Sequence, residues 1–498
     1  MGRRGELREV ELLDPVTGQP DPPPDRTRTR HRLWLVGGVA VVAVALGVTQ
    51  WVVNAREDAA VERLAQVPGV LAPVDEALEV VRTLTPEDLA SLTGEAYGVL
   101  LRGEDGAQSY QWFEPADEGP GWATPLLAAP VGLADASQVY FDTTCVTDEP
   151  SGTGAGDADH VVCLVTDSGY VMSTTGQSGG ALPTTTTDIV VLDTVDGSVL
   201  ARWPSDGGTS IAALPEGVVV VGLVGDASDE PLAVTAYDIL TGERRWTHEE
   251  PWTPGPAGIG VFRAGDLLAF SAQDGKLTFL SPDGDVVRDG VRLFMQGRAL
   301  SPLSWGWRTD PRNGALVLIG QAPDGTPRST FLAANGDPAA DVVVRGEVVE
   351  LGVDDGSVSG LLLSRDTSSL YAYDARTGAR RWTADLRSTT TALVLRGRVY
   401  ATTAREVVAL DGRSGRVLWR SDELVGLTPS ALLTDGAHIL AAAERTGSSS
   451  VAALIAFDPA DGTEVFRAPY PDGVIEVEAI GRALVGRDAA SHEQVELG

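Results

Sequence analysis

AYDARTGARRW, Ala372 to Trp382, recurs along the chain, and its recurrence points to a repeat architecture. AYDILTGERRW (Ala236 to Trp246), ALDGRSGRVLW (Ala409 to Trp419) and AFDPADGTEVF (Ala456 to Phe466) keep the same frame. Each holds an Ala, an Asp, a Gly and an aromatic at constant spacing. Asp238, Gly242 and Trp246 thus correspond to Asp374, Gly378 and Trp382, to Asp411, Gly415 and Trp419, and to Asp458, Gly462 and Phe466. One copy reads as strand, turn, strand. The run Leu370, Tyr371, Ala372, Tyr373 is a strand, the Asp side chain caps backbone N–H groups of the turn, and the Gly accepts positive φ. The aromatic then starts the outgoing strand.

Working outward, weaker copies fill the gaps. VLDTVDGSVLARW keeps Asp193 and Gly197 but displaces Trp203 by two, and FEPADEGPGW places Glu114 eight residues before Trp122. FLSPDGDVV (Phe279 to Val287) and FLAANGDPAADVV (Phe331 to Val343) are degenerate. The aromatic slots therefore fall at 122, 203 and 246, near 287 and 340 by alignment, and at 382, 419 and 466. Upstream of most copies stands another strand ending in a tight turn, as in GRVYATTAREV before Val408. Each unit supplies about four short strands in roughly 37 to 50 residues, which excludes helical solenoids and predicts an all-β fold. A β-propeller of about eight four-stranded blades, with seven as the alternative, is the expected architecture. LEVVRTL (Leu78 to Leu84) has no hairpin before it, and the C-terminal GVIEVEAIGRALVGRDAASHEQVELG has strands but no aromatic slot after them. These two are expected to share one blade and lock the ring.

The repeated element resembles the tryptophan-docking motif of pyrroloquinoline quinone (PQQ)-type propellers, over most of residues 95–498. The resemblance implies that the aromatic packs between neighbouring blades. Members range from quinoprotein dehydrogenases to the non-enzymatic outer-membrane assembly scaffold, so fold alone does not settle function. The dehydrogenase branch implies a vicinal Cys-Cys disulfide over the quinone and a Ca²⁺ shell. Here the only cysteines are Cys145 and Cys163, flanked by VYFDTTC and HVVCLV, which read as neighbouring strands. They predict a structural disulfide across a long hairpin of the second blade, two free buried thiols being the alternative. No quinone, metal or other cofactor is expected.

Leu33 to Val53 is a 21-residue run without charge, long enough as a helix to span a bilayer. Trp34 and Trp51 stand near its ends, and Arg26, Arg28, Arg30 and Arg32 precede it. The positive-inside rule then puts the N-terminus in the cytoplasm and the remainder outside. A cleaved signal peptide is the competing reading, against which the length of the apolar run argues. The expected organisation is a disordered cytoplasmic tail at 1–32, a transmembrane helix at 33–53, a stalk or linker at 54–74 and the propeller at 75–498.

Formal charge is −32 from 70 acidic and 38 basic residues, which argues against nucleic acid as a partner. Residues 1–32 hold seven Arg and six acids, leaving 31 basic and 64 acidic residues beyond the apolar run, a balance of −33 outside. Of the basic residues only Lys276 is a lysine, a bias expected of a bacterium with a GC-rich genome. Five scattered histidines and two cysteines form no metal-ligand cluster. Acid pairs such as Asp354 and Asp355, or Asp283 and Asp285, read as solvated turns rather than calcium loops. Ser173 to Thr187, STTGQSGGALPTTTT, reads as an exposed insertion, and Trp305 and Trp307 as packing residues. No phosphate loop, nucleophile elbow or histidine-based nucleophile stands out. The expectation is a membrane-tethered extracytoplasmic propeller that binds a protein or an envelope ligand without catalysis. A PQQ-dependent oxidoreductase and a transmembrane sensor of an envelope ligand, signalling through its tail, are the alternatives.

Overall fold

A computed structural model describes residues 64, 66–115, 121–129, 139–149, 158–172, 178–182, 184–205, 207–223, 231–251, 259–273, 276–292, 306–309, 316–322, 324–445 and 451–498. The tail at 1–32 and the apolar segment at 33–53 lie outside the described residues, as does Trp305. Among those described, no helix is long and apolar enough to cross a membrane.

The chain is all-β. Helix is confined, among the described residues, to Pro86–Thr93, a 3-10 turn at Pro338–Ala340 and a helical residue at Leu64. Pro86–Thr93 forms because Thr85 caps it: the Thr85 hydroxyl accepts from the Asp88 N–H, the Asp88 carboxylate accepts from the Thr85 N–H, and Pro86 opens the first turn. Gly94 ends it at φ 68°.

Among the described residues, eight sheets hold four or more strands and two hold three. Most are simple antiparallel meanders, such as 210–214, 217–223, 232–238 and 244–250, or 427–434, 439–445, 453–457 and 464–469. One has a fifth strand: Leu351–Asp354 lies parallel to Ala392–Leu395 on its first edge. The middle strands of the sheets are continuous buried runs, VVVV at 218–221 and IAF within 453–457 among them, because both faces are covered by neighbouring sheets. Successive sheets share apolar clusters. Leu363, Ala372 and Trp382 of one meet Val394, Val399 and Val408 of the next, and Leu393, Tyr400 and Ala409 in turn meet Ile439, Ala441 and Ile455. This radial repetition of antiparallel sheets, each burying its faces on its neighbours, is the arrangement a propeller requires.

The two ends of the described chain meet. Val80–Thr83 pairs antiparallel with Gln494–Leu497 as the outer strand of a sheet whose other strands are 483–488 and 474–480. Arg82 Nε donates to Glu496 at 2.7 Å across this seam. Leu64, Val70 and Leu71, inside the span expected as a linker, are buried, and Leu71 N–H donates to the Thr434 carbonyl at 2.9 Å. The compact unit accordingly runs from Leu64 to Gly498.

Ser178–Leu182, expected as part of a plain insertion, is a strand. It pairs with Gly169–Met172, which also pairs with Val139–Phe141, to make a small three-stranded sheet. Tyr140 and Tyr170 stack on it with centroids 5.6 Å apart, a cross-strand aromatic pair that polar composition at 173–187 concealed.

Cys145 and Cys163 stand directly opposite each other on neighbouring strands and are disulfide-bonded. Cys163 is fully buried under the sheet that carries Tyr110, Trp112 and Leu126. With its ends 18 positions apart in the sequence, the bridge restricts the unfolded chain by about 3 kcal/mol. The Cys145→Ala/Cys163→Ala variant is therefore expected to lose about that much in urea unfolding. A midpoint equal to that of the oxidised protein would show that the link adds nothing.

Candidate functional site

Asp238, Asp374, Asp411 and Asp458 all sit at the turn between the last two strands of a sheet. The Asp374 carboxylate accepts from the N–H groups of Arg376 and Thr377 and from the Thr377 hydroxyl, while its second oxygen accepts from Arg381 at 2.8 Å. Asp238 repeats this with Leu240, Thr241 and Arg245. Asp411 takes the Ser414 N–H and hydroxyl, and Asp458 the Ala460 N–H. Arginine pairing first, with turn donors added, holds the Asp238 and Asp374 carboxyls at about 2. Gly242, Gly378, Gly415 and Gly462 follow at positive φ, each N–H returning to the carbonyl of its own Asp.

The glycines have a second reason to be glycine, visible only in three dimensions. A Cβ on Gly415 would stand 2.6 Å from the Trp382 ring, on Gly462 2.4 Å from Trp419, on Gly284 2.6 Å from Trp246, on Gly242 2.7 Å from Trp203 and on Gly197 2.4 Å from Trp122. Each tryptophan therefore lies flat on the turn of the following sheet. Its indole N–H donates to a carbonyl there: Trp382 to Gly412, Trp419 to Pro459, Trp246 to Pro282 and Trp122 to Thr194. Trp203, the displaced copy, has the ring contact, but its buried N–H has no partner among the described residues.

The degenerate slots are filled by valine. Val287 packs on Gly336 and Val342 on Gly378, so the aligned positions near 287 and 340 carry the same contact with a smaller side chain. Phe466 packs beneath the closing sheet, edge-on to His438 at 5.6 Å. A further turn escaped notice in the sequence: Asp488 accepts from Ala490 N–H, Ser491 N–H and the Ser491 hydroxyl, and His492 occupies the glycine position at φ 60°. The signal was the DAAS tetrapeptide, which parallels DART and DGRS; the missing Gly hid it. These residues hold sheets together and are the framework on which any site rests.

In an up-and-down meander the turns after the first and third strands share one end, so the Asp turns lie opposite the connections that follow the second and fourth strands. At that other end, segments 385–388, 403–406 and 420–423 of two adjacent sheets wall a groove of about 750 Å³. Arg405 Nη1 pairs with Glu423 at 2.9 Å and Arg420 pairs with Glu406. Arg387 and Asp385 are exposed beside them, and Arg387 has no ion pair among the described residues. The loop is pinned by the Thr403 hydroxyl, which accepts from the N–H groups of Arg405 and Glu406, and by Leu424 N–H donating to the Arg405 carbonyl at 2.7 Å. The groove is polar, balanced in charge and without histidine or cysteine, a lining suited to binding through hydrogen bonds and ion pairs. Sequence reading missed it because its three segments are separated along the chain and joined only by sheet packing.

Among the described residues, the donors are not arranged as the quinoprotein branch implies. No cluster of three His, Cys, Asp or Glu side chains placed to ligate a metal occurs among the described residues. Cys145 and Cys163 bridge two strands instead of forming the vicinal pair that would cover a quinone. Asp354 and Asp355 each cap their own turn, accepting from Gly356 and Ser357 N–H groups.

Asp366 is a buried carboxylate held by several donors. Its side chain is 5% exposed, and burial pushes its pKa up, but donors from Tyr371, Ser368, Ser369 and Arg345 outweigh this and bring it to about 2. Because the folded value lies below the ordinary 3.8, the stabilisation is complete above that value and disappears as pH falls toward 2. Asp366→Asn is expected to cost about 2 kcal/mol at pH 7 and progressively less below pH ~4. Urea midpoints at pH 7 and pH 2.5 check this, and a pH-independent loss would contradict it.

Residues 138–304 and 307–479, more than half of the chain, match the family profile described as outer membrane protein assembly factor BamB. The chain belongs to the BamB family. Among solved structures, BamB from Moraxella catarrhalis is 16% identical and aligns over 71% of this chain and 98% of its own, with a TM-score of 0.32. The C-terminal WD40 domain of Sif2 is 10% identical over 86% of this chain and 99% of its own, with a TM-score of 0.33. A eukaryotic initiation factor is 9% identical over 81% and 90%, with a TM-score of 0.39. No curated protein matches the chain significantly. Membership in the BamB family rests on the profile match, and the tryptophan-on-glycine stacking is the physical content of the repeats it covers.

Proposed function

We propose that this chain is a membrane-tethered, extracytoplasmic propeller of about eight blades that serves as a protein-interaction scaffold or ligand-binding module and catalyses nothing. The observation that carries the reading is the BamB-family match across residues 138–479, the family being described as an assembly factor. The tether is the apolar segment at 33–53, with the arginine-rich residues 1–32 in the cytoplasm and the repeats outside. The acidic balance of the repeats suits a soluble face that meets neutral or basic protein partners and rejects nucleic acid. The polar groove around Arg387 offers one place for such a partner, or for an envelope ligand, to form hydrogen bonds and ion pairs.

The test is a photo-crosslinking amino acid placed at Arg387 of the full chain in its own membrane. A discrete adduct to one envelope protein is expected. Dye-linked substrate oxidation by the purified full chain, appearing only with PQQ and Ca²⁺, would replace the scaffold reading with an oxidoreductase. Deleting residues 2–25 separates the sensor alternative: an unchanged phenotype fits a scaffold, and its loss requires a signalling tail.

A further inference from the structure

Among the described residues, the sheet formed by Tyr97–Arg102, Gln108–Phe113 and Trp122–Leu127 is one strand short of its neighbours. Its last strand carries Trp122, which docks on Gly197 as the fourth-strand tryptophans of other sheets dock on theirs. Counting back from it, Tyr97–Arg102 stands in second place, and no described strand occupies the first. The reason is local: the capped helix Pro86–Thr93 takes up the chain just before it, and such a helix cannot also be the missing strand.

Tyr97–Arg102 is consequently an edge. It pairs with Gln108–Phe113 in unbroken register from Tyr97 with Phe113 to Arg102 with Gln108. Gly98, Val99, Leu100 and Leu101 have no partner other than that strand and its neighbours' side chains among the described residues. Val99 is 36% and Leu101 39% exposed. Protein edges are normally guarded by lysine, proline, a bulge or inward charge. Several outer strands here carry such charge, with Arg244 and Arg245, Arg380 and Arg381, or Glu464 and Arg467, although Val342–Arg345 is charged only at its last residue. YGVLLR has none of these before its final residue. An apolar, straight, unguarded edge in an acidic protein is a template waiting for a strand.

We propose that this edge is a docking site for an extended segment of a partner protein, which adds the fourth strand by backbone hydrogen bonding. Alternate apolar residues of the segment cover Val99 and Leu101, and basic residues flanking it meet exposed Glu95, Glu104 and Asp105 at the two ends of the edge. A second copy of this chain is a poorer occupant, since each carries a net charge of −32. The inference rests on the scaffold reading and specifies how one partner is held.

The test titrates the full chain with a synthetic peptide of alternating Val and Thr flanked by lysines. Two further versions are N-methylated on alternate amides, one on each edge of the peptide strand. Binding is expected to slow amide exchange in residues 97–102 by about tenfold or more, because edge amides gain a partner. One methylated peptide should bind at least about tenfold more weakly and the other as the parent, since only one peptide edge donates. Equal binding of both methylated peptides, protection confined to other strands, or no binding at millimolar peptide overturns the proposal. Protection that appears without peptide as protein concentration rises would instead assign the edge to a second copy. Failure here alongside a specific adduct from Arg387 would remove the edge site and leave the scaffold; failure of both would remove the scaffold as well.

Discussion

Removing residues 494–498 is expected to unfold most of the molecule, not merely fray its end. Val495 and Leu497 are buried, at 7% and 5% exposure, in the cluster joining the closing sheet to Leu440 and Leu454 of its neighbour. Their transfer to water alone costs about 4 kcal/mol. The truncation also strips the partner from Val80–Thr83, so the seam between the two ends of the chain opens and loop closure is lost. The combined loss, about 5 kcal/mol or more, is comparable to the whole stability of many domains. The control is Glu496→Gln, which breaks only the half-exposed pair with Arg82 and should cost less than about 1 kcal/mol. Urea unfolding checks both, and a truncated chain with the midpoint of the intact one would mean that the seam does not hold the fold.

The second large effect lies at a docking contact. Trp382→Ala is expected to cost about 3 to 5 kcal/mol, because the ring is buried between two sheets and its N–H satisfies the Gly412 carbonyl at 3.0 Å. Gly415→Ala is expected to cost about 2 to 4 kcal/mol, combining a positive-φ penalty with a Cβ pressed to 2.6 Å from that ring. The informative measurement is the double variant. Once the indole is gone the new methyl has room, so the two losses should fall short of their sum by at least about 1 kcal/mol. Additive losses would mean that ring and glycine do not touch in solution.

The repeat frame was legible because strand–turn–strand is local: Asp374 caps residues two and three along, and Gly378 turns within the same hairpin. The seam at Val80–Thr83 was legible by elimination, as two orphan strands at opposite ends of a repeat array have each other as partners. Val287 and Val342 were found by position, although nothing in valine itself announces a docking residue. The turn at Asp488 was overlooked because His492 occupies a glycine slot, and the strand at 178–182 because serine and glycine there mimic a loop. The groove around Arg387 had no sequence signal at all. Its walls come from three segments that meet only when two sheets pack.

The residues alone mark an acidic, all-β repeat protein resembling the PQQ type, with turns set by Asp and Gly, while for Cys145 and Cys163 they allow either a disulfide or two free thiols. Those features follow from backbone conformations and side-chain alternation over a dozen residues, which neighbours in the chain suffice to specify. Packing settled that the docking tryptophans stack on the glycine of the next unit, that Leu64, Val70 and Leu71 belong to the core, that Cys145 and Cys163 are bonded, and that the sheet at Tyr97–Arg102 has no first strand among the described residues. Those are contacts between segments tens to hundreds of residues apart, and their partners are chosen by packing and by which edges remain unpaired once every other strand has found its place.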